Sequence, residues 1–97
     1  MIYFFLPKAK EDFNEAIDHY NLEQPGLGLR FRDEIQKLID AIVADPLLWR
    51  ERKGGFRRAN CSVFPYYIAY SIRGEIVVIL TVAHANRSPN FWKDRLR

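Results

Sequence analysis

Ile76-Val77-Val78-Ile79-Leu80-Thr81-Val82-Ala83 runs through eight residues with one hydroxyl and no charge. Successive side chains of a strand point to opposite faces, so a strand with one wet face alternates apolar and polar residues. This stretch does not alternate, which predicts an inner strand covered on both faces or nearly so. Arg73-Gly74 just upstream supplies a hairpin turn, and residues 63–73 before it read as the partner strand. Pro65 lies inside that segment and cannot donate to a ladder, which predicts a bulge or a late start of the strand. Residues 56–62 read as a third strand of the group.

Further upstream the period changes. Leu27, Phe31, Ile35, Leu38, Ile39 and Ile42 form one helical stripe over residues 27–44, which Asp45-Pro46 ends. Ala9, Phe13, Ala16, Ile17 and Tyr20 form a second stripe, opened by Pro7 where a missing N–H costs nothing. Glu11, Asp12 and Glu15 fall near its N-terminal end, where acids suit the helix dipole. Gln24-Pro25-Gly26-Leu27-Gly28 between the stripes is a turn signal, so the two helices make a hairpin. Residues 2–6 are a short apolar run before a proline and read as a fully buried strand. After Pro89 a polar-aromatic tail, residues 90–97, has room for one or two helical turns. The element order is β-α-α-β-β-β with a short C-terminal tail. It predicts an α+β fold, with the helical hairpin packed on one face of a small, mainly antiparallel sheet. A chain of 97 residues is expected to form one domain, 1–97.

Charge is unevenly spread. Residues 1–45 carry five Lys/Arg against nine Asp/Glu, net −4, whereas residues 46–97 carry ten against three, net +7. A basic second half implies an anionic partner, either nucleic acid or an acidic protein segment. Cys61 is the only cysteine, so no internal disulfide can form and nothing points to secretion. No apolar run approaches the length that spans a bilayer, and a cytoplasmic location is expected.

His84 is the one group of the second half whose free pKa lies near neutrality. With Arg58 and Arg87 it has the composition of a phosphoryl-transfer site, a base beside cations for the transition-state charge. The bland reading is a strand-end histidine bonded to local backbone. Arg57 and Arg58 are adjacent on a strand and must face opposite ways, one toward a helix carboxylate and the other toward a partner. Arg87, Lys93, Arg95 and Arg97 gather in the tail, suited to phosphates or carboxylates unless the tail is frayed. Trp49 reads as packing that closes the hairpin; Trp92 either anchors the tail or presents a hot spot to a partner. His19 and His84 lie in different halves and Cys61 is alone, so no metal-ligand spacing exists. There is no Gly-rich phosphate loop, nucleophile elbow or paired-carboxylate motif, and no cofactor is expected. Cys61 reads as a small buried hydrophobe.

Four segments resemble ParE-like toxins in order and spacing. They are Pro25-Gly26-Leu27-Gly28 with Arg30-Phe31; Asp45-Pro46 with Trp49; Arg57-Arg58 leading to Phe64-Pro65-Tyr66-Tyr67-Ile68-Ala69-Tyr70; and Ala83-His84-Ala85-Asn86-Arg87-Ser88-Pro89-Asn90-Phe91-Trp92, then Arg95. The resemblance covers nearly the whole chain and implies the toxin of a type II toxin–antitoxin system, within the RelE/ParE superfamily. RelE-like members of that superfamily are ribosome-dependent mRNA nucleases that use strand arginines and a tyrosine near the C-terminus. Aligned by eye, those positions hold Tyr67, Ala85 and Phe91, without guanidinium or hydroxyl where each is needed. The departure favours the ParE branch, whose members are understood to act on DNA gyrase, trapping its cleaved DNA. The resemblance then implies no catalysis by the chain itself and a target-binding surface of Arg58, His84, Arg87, Trp92 and Arg95. It implies a cognate antitoxin whose acidic C-terminal segment wraps the toxin, in a hetero-oligomer, and a role in plasmid stabilization or growth arrest. The alternatives are an mRNA endonuclease acting on the ribosome through His84, Arg58 and Arg87, and an inactive protein on the toxin fold.

Overall fold

The computed structural model describes residues 1–96. Its strands are β1 (Ile2–Phe5), β2 (Glu51–Arg52), β3 (Phe56–Asn60), β4 (Tyr66–Arg73) and β5 (Ile76–His84). The helices are α1 (Pro7–Glu23), α2 (Leu27–Ala44) and the short α3 (Asn90–Lys93), followed by a 3₁₀ turn over Asp94–Leu96. One sheet has the order β1-β5-β4-β3-β2. β1 runs parallel to β5 and every other pairing is antiparallel, giving the expected α+β architecture.

The unalternating stretch is an inner strand, buried from Val77 to Ala83. Its two faces meet two different covers. Val77, Ile79 and Val82 join Ile68 and Tyr70 beneath the α1–α2 hairpin, against Phe13, Phe31, Ile35, Ile39 and Ile42. Val78, Leu80 and Ala83 join Phe56, Tyr67 and Ala69 on the opposite face, where Trp92 covers them. A bulge lets both sets stay apolar: Ala69 faces Thr81 while Tyr70 faces Ile79, so Leu80 is the extra residue.

Both helical stripes face the core as their spacing predicts: Ala9, Phe13, Ala16, Phe31, Ile35, Ile39 and Ile42 are buried, and Ile17, Tyr20 and Leu38 pack half-buried beside them. Gly26 caps α2 at φ +88°, a left-handed conformation that side chains disfavour. Gly28 sits where the helices touch, and a Cβ there would run into the Ile17 carbonyl and the Asn21 side chain. Asn21 Oδ1 instead accepts the Gly28 N–H at 2.8 Å. At the other end of the hairpin the Tyr70 hydroxyl donates to the Pro46 carbonyl at 2.7 Å, and Trp49 packs edge-on to Tyr70. Trp49 therefore closes the hairpin.

Several expectations need correction. β1 is an edge strand, not a buried one: Ile2 is 67% and Phe4 54% exposed. An apolar run signals burial only when both neighbours are present, and β1 has a partner on one side alone. Its last residue does turn inward, where Phe5 stacks on Phe13. β2 has two residues and no periodicity to announce it. β3 stops at Asn60, and β4 starts late, after Pro65, whose carbonyl accepts the Ala85 N–H. No acid lies in the first turn of α1, so the dipole does not account for Asp12. Cys61 is half-buried against the hairpin-side core.

Candidate functional site

Through Leu96 the tail is helical and docked. Trp92 is 1% exposed, packs edge-on to Phe56, and donates its Nε1–H to the Tyr67 hydroxyl at 2.9 Å. A buried indole needs such an acceptor, and a buried phenol oxygen on the facing strand supplies it. Three residues on, Arg95 reaches around the sheet. β1 ends at Phe5, and the last bond along that edge runs from the Leu6 N–H to the Ile79 carbonyl. Beyond it the edge of β5 is open. Arg95 Nη1 fills the gap, donating to the Leu80 carbonyl at 2.9 Å and to Asp12 Oδ2 at 2.6 Å. The Thr81 hydroxyl donates to the same Asp12 oxygen at 2.7 Å. The side chains of Arg95 and Asp12 are 11% and 13% exposed, so this is a largely buried ion pair that joins the two ends of the chain.

Two further arginines lie on aromatic platforms. The Arg58 guanidinium sits 3.8 Å above the Tyr67 ring and donates to Asn60 Oδ1. Arg87 sits 3.6 Å above Phe91. Stacking fixes the plane of a guanidinium and leaves N–H groups at its rim for carboxylate or phosphate. Arg57 faces the other way, as adjacency requires, and binds the Trp49 carbonyl rather than a helix carboxylate.

His84 ends β5. Its Nδ1 accepts the Asn86 backbone N–H at 3.0 Å and its ring lies edge-on to Tyr66. That is the local capping role. It also lines a cleft of about 270 Å³ with Asp12, Glu15, His19, Tyr66 and Arg87. The fold thus brings together two histidines that the sequence holds 65 positions apart. Burial raises the Tyr66 phenol pKa, helped by Glu23 and opposed by Arg87. No group of three metal-ligating side chains is placed to hold an ion among the described residues.

Of the five proposed contact residues, Arg58, His84 and Arg87 are accessible, while Trp92 and Arg95 are turned inward. Lys93 is exposed, and Arg97 lies outside the described residues. Sequence reasoning missed Asp12, Thr81 and Tyr67 as anchors of the tail. A contact between residues 83 apart leaves no mark in local periodicity.

The family described as "ParE toxin of type II toxin-antitoxin system, parDE" matches residues 3–89. The chain belongs to the ParE toxin family. The solved structure of the chromosomal ParDE TA system from P. aeruginosa has the same fold, with a TM-score of 0.79 at 19% identity, covering 89% of this chain and 97% of that one. No curated protein matches the chain. All of the ParE resemblance through Pro89 lies inside the matched region; Trp92 and Arg95 follow it. Membership in a toxin–antitoxin family implies an antitoxin partner. No described helix is long and apolar enough to cross a membrane.

Proposed function

We propose that this ParE-family protein arrests growth by binding DNA gyrase and holding its cleaved DNA complex, and that a cognate antitoxin neutralises it by covering the same surface. The observation that carries this reading is the pair of platform-mounted arginines, Arg58 over Tyr67 and Arg87 over Phe91. They form rigid cationic contacts without a committed acid–base group between them. Tyr67 holds its hydroxyl for Trp92, Phe91 has none, and His84 has Nδ1 occupied. A binding protein uses such contacts directly, whereas a nuclease also needs a positioned base and acid. The acidic antitoxin segment suits the same cations. Trp92 and Arg95 serve this surface by holding the tail.

The test is supercoiling by purified gyrase with plasmid DNA and the purified chain. Linear plasmid should accumulate with gyrase and not without it. If gyrase runs undisturbed, the target is wrong. A second reading, the ribosome-dependent mRNA nuclease, draws on the cleft that joins His84 to Glu15, Tyr66 and Arg87. His84→Ala separates the two: a nuclease should lose ~10²–10⁴-fold in rate, as general acid–base groups contribute. A gyrase binder should lose one contact.

A further inference from the structure

The Arg95–Asp12 pair invites a question of purpose. Desolvation largely offsets the attraction within a buried ion pair, so such pairs add little net stability. Here Arg95 Nε is also buried without a hydrogen-bond partner. What the pair does supply is location. It ties the end of the tail to α1 and to the open edge of β5, at one point with directional bonds from Arg95 and Thr81.

Both cations of the proposed surface depend on where that tail lies. Arg95 stands 5.4 Å from the Phe91 ring, on which Arg87 stacks. Trp92, one residue on, donates to the hydroxyl of Tyr67, on which Arg58 stacks. Contacts therefore run from a helix carboxylate through Arg95 and Phe91 to Arg87, and the tail backbone carries the link from Arg95 to Trp92 and so through Tyr67 to Arg58. We infer that Asp12 is a positioning residue: through Arg95 it docks the tail, and the docked tail sets the platforms of Arg87 and Arg58. This rests on the reading of Arg58 and Arg87 as the toxin's contact surface. It assigns to a helix residue, and to Arg95, an internal role that neither the family match nor the sequence pattern gives them.

The experiment uses the full chain in a Trp49→Phe background, so that Trp92 alone reports the tail. Three properties are measured for Asp12→Asn, Asp12→Glu and Arg58→Ala/Arg87→Ala: the urea midpoint, acrylamide quenching of Trp92, and growth arrest on expression. Asn keeps the shape and one acceptor but removes the charge. Losing a charge-assisted hydrogen bond should lower the docked-to-open ratio of the tail roughly tenfold or more. Quenching of Trp92 should rise in Asp12→Asn and growth arrest should weaken, with the urea midpoint of the sheet and hairpin little changed. Asp12→Glu, which keeps the carboxylate, should restore both toward the parent. Arg58→Ala/Arg87→Ala should lose growth arrest with Trp92 still shielded. The inference is overturned if Asp12→Asn leaves Trp92 as shielded as in the parent, or exposes it while growth arrest is unchanged. If instead the double arginine variant stays fully toxic, the surface reading fails, and the quenching result still decides what Asp12 does to the tail. Should Asp12→Asn not fold, Thr81→Val removes one bond to the same carboxylate and keeps the ion pair. Its quenching should then lie between parent and a tail deletion, and parent-like quenching would overturn the inference.

Discussion

Phe13 and Ala16 on one helix, and Phe31, Ile35, Ile39 and Ile42 on the next, reach the first face of the sheet from helices of 17 and 18 residues. Trp92 reaches the second face from a helix of four residues and one 3₁₀ turn. The hairpin side is held by apolar area: Tyr20, Phe31, Phe64 and Tyr66 pack ring against ring with centroids 4.9 to 5.8 Å apart. The tail side has too little area for that and relies on directed polar bonds, Trp92 to Tyr67 and Arg95 to Asp12. Apolar burial is non-directional and tolerant of small shifts. Hydrogen bonds and ion pairs fix position, and the face that uses them is the one that carries the proposed contact surface.

The comparison can be broken first by Phe31→Ala. It opens a cavity in the hairpin-side core and should cost about 3–5 kcal/mol, read as a large fall in the urea midpoint of the whole chain. A small, local effect would mean that the hairpin side is not the main store of stability. Next is Tyr67→Phe, which keeps the ring under Arg58 and strands the Trp92 Nε1–H. An unsatisfied buried donor costs about 1–3 kcal/mol. The loss should appear as faster amide exchange in the tail, with the hairpin amides protected as before. Equal loosening on both sides would show that the faces are not separable.

Smaller still is Tyr70→Phe, which removes the bond to Pro46 at the hairpin end, at about 1 kcal/mol near neutral pH. Burial pushes the Tyr70 phenol up to about 12, with Arg57 pulling it down and Asp45 up. The folded state therefore holds this proton more tightly than the unfolded chain, whose phenol titrates near 10. Stability from this group is present below pH 10 and lost as pH rises toward 12. Urea midpoints taken from pH 8 to 11 should fall along that limb, and Tyr70→Phe should shallow the fall. Tyr20 and Tyr66, also raised by burial, leave part of the slope in place. The smallest effect belongs to Lys37→Ala. Its ion pair with Glu34 is exposed on α2, and removing it should move stability by less than about 0.5 kcal/mol.

The hairpin face was legible because helical packing obeys a local rule. Ala9, Phe13 and Ala16, or Phe31, Ile35 and Ile39, announce their burial by spacing alone. The turn glycines were legible for the same reason, although the close approach that requires Gly28 shows only when Ile17 and Asn21 are beside it. β1 misled because four apolar residues look alike at an edge and at a centre. The candidate site was half legible. Arg58, His84 and Arg87 were chosen by residue type and do stand accessible, whereas Trp92 and Arg95, chosen for the same reasons, point inward. Residue type states what a side chain can bind. It does not state whether the fold has already bound it.

By itself the sequence determined the helical hairpin, an inner strand over residues 76–83, the basic second half and the family, since each depends on neighbours in the chain or on motif order. Only the tertiary structure decided that β1 lies at an edge, that His19 and His84 share a cleft, and that Asp12 holds Arg95. The reason is physical. Periodicity encodes which face of an element is dry, but a pairing between residues 12 and 95 exists only once the sheet has brought both ends of the chain to the same edge.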